Sequence, residues 1–253
     1  MMEKIRLNKY LSDAGVCSRR EADRLTEQGK ILVDGQPARM GMKVSEENRI
    51  VVDGREIHGH ASPVLLAVYK PQGIVCTTAE KEKDNIVDFI HYPMRVYPVG
   101  RLDKASEGLI LMTNQGELVN KILRGGNDHE KEYIVRINGP VTEEFIRAMS
   151  SGVPILDTMT KPCKVEKLGA HTFRIILTQG LNRQIRRMCE FLGFRVLFLK
   201  RVRVMNIRLG DLKPGEYREI RGAELKTLQA LLKDSLNTPG GKKGKSQWTQ
   251  SRE

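Results

Sequence analysis

The chain has 253 residues, a net charge of +12 and a pI of about 9.6, with 40% hydrophobic and 29% charged residues. Such a length supplies the core of one or two domains, and no apolar run approaches the ~18 residues needed to cross a bilayer. The opening MMEKIRLNKY also lacks the apolar middle of a signal peptide, so the expectation is a cytoplasmic protein with no membrane partner, drawn by its charge to polyanions.

Residues 1–60 hold 11 basic and 10 acidic side chains, whereas residues 61–233 hold 28 and 19. Segment 182–208 is the densest, with eight basic side chains against the single acid Glu190. The charge therefore belongs to a folded domain rather than to a tail. Cys17, Cys76, Cys163 and Cys189 form no CxxC pair and stand at no metal-ligand spacing with histidine. They read as reduced packing thiols.

In chain order, Ile5, Leu7, Tyr10 and Leu11 predict a first helix, broken at Gly15. Ser18, with Glu21 three residues on, has the spacing of a capping box for a second helix that Gly29 ends. KILVDGQPA and RIVVDGREI each place a β-rich run before Asp-Gly, a tight-hairpin signal. Residues 5–60 thus read as a small helix-then-hairpin domain, and GHASP (59–63) as a linker.

Beyond the linker, VLLAVYKP predicts a strand ended by Pro71, QGIVCTT its resumption, and NIVDFIHY a short helix. GLILMTN (108–114) reads as a buried strand, GELVNKIL as a helix and KEYIVRING (131–139) as a strand with alternating sides. Thr142 caps a helix in VTEEFIRAMSSG. CKVEKLGAHTFRIILTQG reads as two strands, NRQIRRMCEFLG as a helix ended by Gly193, FRVLFLKRVRVMNIRLG as strand-rich, and AELKTLQALLKDSL as a closing amphipathic helix. Strands and helices alternate without repeated βαβ units, which predicts an α+β domain with a mixed sheet over 64–233. From Asn237 the basic tail, 237–253, has Trp248 as its only large hydrophobe and is expected to be disordered.

Three segments carry candidate chemistry. In GRLDKASEGLILMTNQGEL (100–118), Asp103 sits in a loop just before a buried strand, where a short carboxylate is aimed at a ligand or simply closes a turn. In KEY (131–133), Tyr133 opens a strand and either stacks on a base, for ~1–3 kcal/mol, or packs in the core. In LNRQIRRMCEFLG (181–193), Arg183, Arg186 and Arg187 are spaced to share a helix face, able to orient a carboxylate or grip phosphates. GGNDHE (125–130) lacks the Lys-Ser/Thr of a phosphate-cradling loop, and His91, His129 and His171 lie far apart. No cofactor and no metal are expected.

Together these blocks resemble the RsuA/RluB/RluE/RluF family of bacterial rRNA pseudouridine synthases. GRLDKASEGLILMTNQGEL is similar to the signature around that family's catalytic aspartate, and LNKYLSDAGVCSRREADRLTEQGKILVDGQPA resembles the S4 RNA-binding module that precedes its catalytic domain. KPQG (70–73), KEY and NRQIRRM follow in the family's order, and the likeness runs from residue 5 to about 233. RGGNDHEKEYIV and TQGLNRQIRRMCE look most like the RluF branch, with Ser106 where most members carry Thr.

The resemblance implies a mixed, mostly antiparallel catalytic sheet crossed by the active cleft. It assigns Asp103 as the catalytic carboxylate, Arg186 as its basic partner and Tyr133 as the aromatic packed on the target base. It implies a target in 23S rRNA or its assembly intermediates, with a tRNA anticodon-loop uridine as a second substrate in this branch; a monomer is expected. Arg19, Arg20 and Arg24 of the S4-like module, with Arg101, Arg183 and Arg187, are the expected RNA contacts. Pseudouridine formation cuts the bond from ribose C1′ to uracil N1 and rejoins the ring through C5, without redox or phosphoryl chemistry. Whether Asp103 attacks the sugar, attacks the base or accepts a proton stays open in the sequence. A non-catalytic S4-type RNA-binding or ribosome-associated protein explains the charge but leaves GRLD, KEY and NRQIRRM unexplained. A DNA-binding regulator lacks any evident dimerisation element.

Overall fold

The computed structural model describes residues 4–59, 61–79, 81–123, 128–233 and 235; the basic tail from Asn237 lies outside the described residues. β1 (Ile5–Arg6) runs directly into α1 (Leu7–Asp13), and α2 (Arg19–Glu27) starts at Ser18, whose hydroxyl accepts the Glu21 N–H at 3.1 Å. β2 (Ile31–Val33) and β3 (Gln36–Pro37) form one hairpin, and β5 (Ile50–Val52) and β6 (Arg55–Ile57) another, in a four-stranded sheet of order β3-β2-β5-β6. Both turns place Asp and Gly at positive φ (Asp34 50°, Gly35 79°, Asp53 46°, Gly54 78°), the geometry for which Asp-Gly is selected. β4 (Lys43–Val44) pairs with β1. Leu7, Leu11, Ala22, Ile31, Val44 and Ile50 anchor a hydrophobic cluster confined to this part of the chain.

A nine-stranded sheet follows. Its path is β13 (Lys164–Gly169), β14 (Thr172–Leu177), β10 (Lys131–Ile137), β15 (Val196–Val204), β9 (Glu107–Thr113), β7 (Leu65–Lys70) and β17 (Tyr217–Glu219), with β16 (Ile207–Arg208) on β15 and β8 (Tyr97–Val99) on β9. β7 is buried throughout and β9 nearly so, which explains their unbroken apolar sequence. Leu109 and Leu111 face a cluster that takes in α4 (Gly116–Leu123) and α7 (Gly222–Leu231). Ile110 and Met112 face a second cluster, under α3 (Ile86–Ile90). The other half of the sheet packs Val135, Ile137, Phe173 and Ile175 against α5 (Glu143–Ser151) and α6 (Gln184–Phe191). β11 (Pro154–Ile155) and β12 (Thr158–Met159) make a small separate hairpin.

The two halves meet at one short parallel seam, β15 against β9, registered only at Lys200↔Glu107 and Arg201↔Gly108. All other named pairings in this sheet are antiparallel. The seam needs glycine. At Gly108 φ is +107°, and a Cβ would lie 2.3 Å from the Arg201 carbonyl oxygen and 2.7 Å from its nitrogen. Backbone on both sides leaves no flexible end to move. Gly108→Ala is therefore expected to destabilise the domain by about 3 kcal/mol or more, read as a fall in the urea midpoint; an unchanged midpoint would show that the seam is pliable.

The expected strand in QGIVCTT is not formed. Among its residues only Val75 makes a bridge, to Asn85. Its polar groups hold neighbouring loops instead: the Gly73 N–H donates to the Lys104 carbonyl at 2.8 Å and the Val75 N–H to that of Asp84 at 2.8 Å. The short strands β8, β11, β12 and β17 carry too little pattern to be read from sequence.

Candidate active site

Asp103 lies four residues before β9, in a loop that enters through Gly100 at φ +77°. The loop is pinned on both sides of the carboxylate. Leu102 is buried in the cluster under α3, and its N–H donates to the Cys76 thiol sulfur at 3.3 Å. The Ser106 N–H closes a turn onto the Asp103 carbonyl at 3.0 Å. Lys70, fully buried at the end of β7, donates to the carbonyls of Pro71 at 2.7 Å and Ser106 at 2.8 Å. Burial pulls the Lys70 ammonium below its usual range, and among the described residues no carboxylate takes a hydrogen bond from it. The KPQG motif thus acts as a staple under the Asp103 loop, a role the residue types alone do not reveal.

Two arginines reach the carboxylate from the far side. One Asp103 oxygen, Oδ2, is 3.6 Å from Arg183 Nη1 and 3.7 Å from Arg186 Nε. Arg186 is held by other bonds: Nη2 donates to the Ala105 carbonyl at 3.1 Å and to the Ser106 hydroxyl at 3.0 Å, and Nη1 to the Val196 carbonyl at 3.4 Å. Burial, with the Arg183 charge beside it, draws Arg186 below the ordinary guanidinium range. Its Nε is buried and, among the described residues, has no hydrogen-bond partner. That donor lies 3.7 Å from Asp103 Oδ2, within ion-pair distance but beyond the length of a hydrogen bond.

The three arginines do not share a helix face. Arg183 is the residue before α6, in the left-handed region at φ 49°. Only Arg186 and Arg187 lie within the helix, and they part: Arg187 folds back onto the Asn182 carbonyl at 3.1 Å and side-chain oxygen at 3.2 Å. Arg183 and Arg186 line the cleft with Asp103, Arg101, Ser106 and Tyr133, around a volume of about 740 Å3. That lies within the ordinary range for a ligand site. Tyr133 stands on β10 opposite Arg201 of β15. Arg19 and Arg20 are exposed at the start of α2, while Arg24 is exposed but paired with Glu21. Lys70, Lys131 and Arg201 take no named role from the sequence; Lys70 and Arg201 carry a signal, a cation in a strand-like apolar run, whereas Lys131 stands between Glu130 and Glu132.

Residues 64–191 match RNA pseudouridylate synthase, and residues 5–50 match the S4 domain. The chain belongs to the RNA pseudouridylate synthase family, in its S4-bearing RsuA/RluB form, and is an isomerase. It is 54% identical over 233 residues to the dual-specificity RNA pseudouridine synthase RluF of Escherichia coli K12, covering 91% of this chain and 80% of that protein. It is 34% identical to the ribosomal large subunit pseudouridine synthase B of Bacillus subtilis, over 92% of this chain and 98% of that one. A solved pseudouridylate synthase structure superposes with a TM-score of 0.64 at 27% identity, covering 90% of this chain and 99% of the other. Among the described residues no helix is long and apolar enough to cross a membrane.

Proposed function

We propose that the protein converts uridine to pseudouridine in 23S ribosomal RNA, with a tRNA uridine as a second substrate, acting as a monomer on a base drawn out of its stack. The observation that carries this reading is Asp103 itself, on a loop pinned from both sides, with Arg183 and Arg186 at 3.6 and 3.7 Å and Tyr133 lining the same cleft. The dual-specificity name of the E. coli relative supports the two substrates.

In this reading Asp103 is the nucleophile or proton acceptor, and Arg186 orients it. The N1–C1′ bond breaks, the C5–C1′ bond forms, the C5 proton passes to solvent and N1 regains a proton, so no electrons leave the substrate. Tyr133 packs on the flipped base. Extrusion costs a few kcal/mol, which phosphate contacts in the basic cleft and from Arg19, Arg20 and Arg24 offset. Residues 5–60 serve as the RNA-binding domain and 64–233 as the catalytic domain; α1 touches the latter through Lys9, which donates to Glu117 at 2.9 Å.

Two measurements test the reading. Pseudouridine mapping in cells with and without the gene is expected to lose one 23S rRNA position; an unchanged map in both 23S rRNA and tRNA would overturn the assignment. Tyr133→Phe is expected to keep RNA affinity and the platform for the base, whereas Tyr133→Ala loses about 1–3 kcal/mol of stacking, seen as a lowered kcat/KM. Equal activity of the two would remove Tyr133 from the base site.

A further inference from the structure

The cleft holds more positive charge than Asp103 matches. Arg183 and Arg186 answer to that carboxylate, and Lys161 pairs with Asp128 at 2.6 Å. Lys131 and Arg201 also line the cleft, and among the described residues no carboxylate lies within ion-pair distance of either. Arg201 is only 4% exposed, and among the described residues its side chain makes one hydrogen bond, from Nε to the Leu109 carbonyl at 2.7 Å. Lys131 Nζ reaches the His129 carbonyl at 3.2 Å. Burial, and then the Arg201 charge, push the Lys131 ammonium down to about 8.

A local irregularity brings Arg201 here. Arg201 and Arg203 are two apart, a spacing that puts side chains on one face of a regular strand. The pairing of β15 with β10 skips Val202: Tyr133 faces Arg201, while Glu132 faces Arg203. This bulge lets Arg203 turn to Glu130 and Glu132, at 2.8 and 2.7 Å, while Arg201 stays in the cleft. Tyr133 is thus flanked by two cations, Lys131 along its own strand and Arg201 across from it.

We infer that Lys131 and Arg201 hold a backbone phosphate of the RNA strand drawn into the cleft, beside the flipped uridine whose ring Tyr133 takes. The assignment rests on the isomerase reading for the identity of the strand. Two desolvated cations without an internal counter-ion call for a full negative charge. A uracil carbonyl is neutral and leaves that charge unmatched, and Asp103 is already matched by its own arginines.

The test is equilibrium binding of a 23S rRNA stem-loop carrying the mapped uridine, titrated with salt. Lys131→Met keeps the aliphatic stem and removes the charge. It is expected to weaken binding about tenfold at low salt and to make the slope of log K against log[salt] shallower by about 0.7–0.9, the loss of one phosphate contact. Lys131→Gln is expected to do the same, Lys131→Arg to restore the slope, and Lys226→Met, at an exposed site on α7, to leave it unchanged. An unaltered slope in Lys131→Met and Lys131→Gln overturns the phosphate site, whatever happens to turnover. Because binding is read without catalysis, an inactive parent protein would defeat the isomerase reading and still return a slope for each variant.

Discussion

The Asp103→Asn protein is expected to bind RNA as tightly as the parent chain and to isomerise uridine on the order of a thousandfold more slowly or worse. The substitution keeps the size of the side chain, so Leu102, Cys76, Lys70 and Ser106 still hold the loop in place. What disappears is the negative charge facing Arg183 and Arg186. Affinity is spared because a lone carboxylate contributes no favourable contact to a polyanion. Single-turnover assays, with mass spectrometry to exclude deamidation back to aspartate, would decide the matter. Turnover at even a tenth of the parent rate would take the chemistry away from Asp103.

Arg186→Ala should come next in severity, with kcat down on the order of a hundredfold, while Arg187→Ala changes it only a few-fold. The two residues are neighbours on α6, yet their surroundings differ. Arg186 ties together the Ala105 carbonyl, the Ser106 hydroxyl and the Val196 carbonyl, and its Nε lies 3.7 Å from Asp103. Among the described residues the Arg187 guanidinium bonds only to Asn182, close by in the chain. Removing Arg186 therefore frees the very loop that aims the carboxylate. Because Arg186 acts through Asp103, the loss should fall on kcat rather than on KM, and Arg186→Lys should recover part of it. Equal, mild effects at 186 and 187 would contradict the geometry.

Much of this was legible in the chain. The Asp-Gly turns, the Ser18 and Thr142 caps and the continuous apolar run of β9 each obey a local rule, so each element formed where its residues predict. Asp103, Tyr133 and Arg186 could be named because the motif order carries their resemblance, and the fold then brings all three to one cleft. Long-range choices stayed hidden. Nothing in RQIRR says that Arg183 lies outside the helix, or that Arg187 turns away. Val202 looks like any strand residue, yet skipping it in the ladder divides Arg201 from Arg203. QGIVCTT has strand-like composition, but its polar groups go to the Asp103 and Asp84 loops, an allocation settled by tertiary contacts.

Release of tritium from RNA labelled at uridine C5 tests the central claim most directly. Forming the C5–C1′ bond expels that hydrogen, whereas binding alone leaves it in place. Purified protein with labelled 23S rRNA transcript is expected to release tritium to water in proportion to the pseudouridine formed, without added metal or cofactor, and the Asp103→Asn protein to release none above background. Tight binding by the parent protein with no release from either 23S rRNA or tRNA would contradict the account and leave an RNA-binding protein with an idle site.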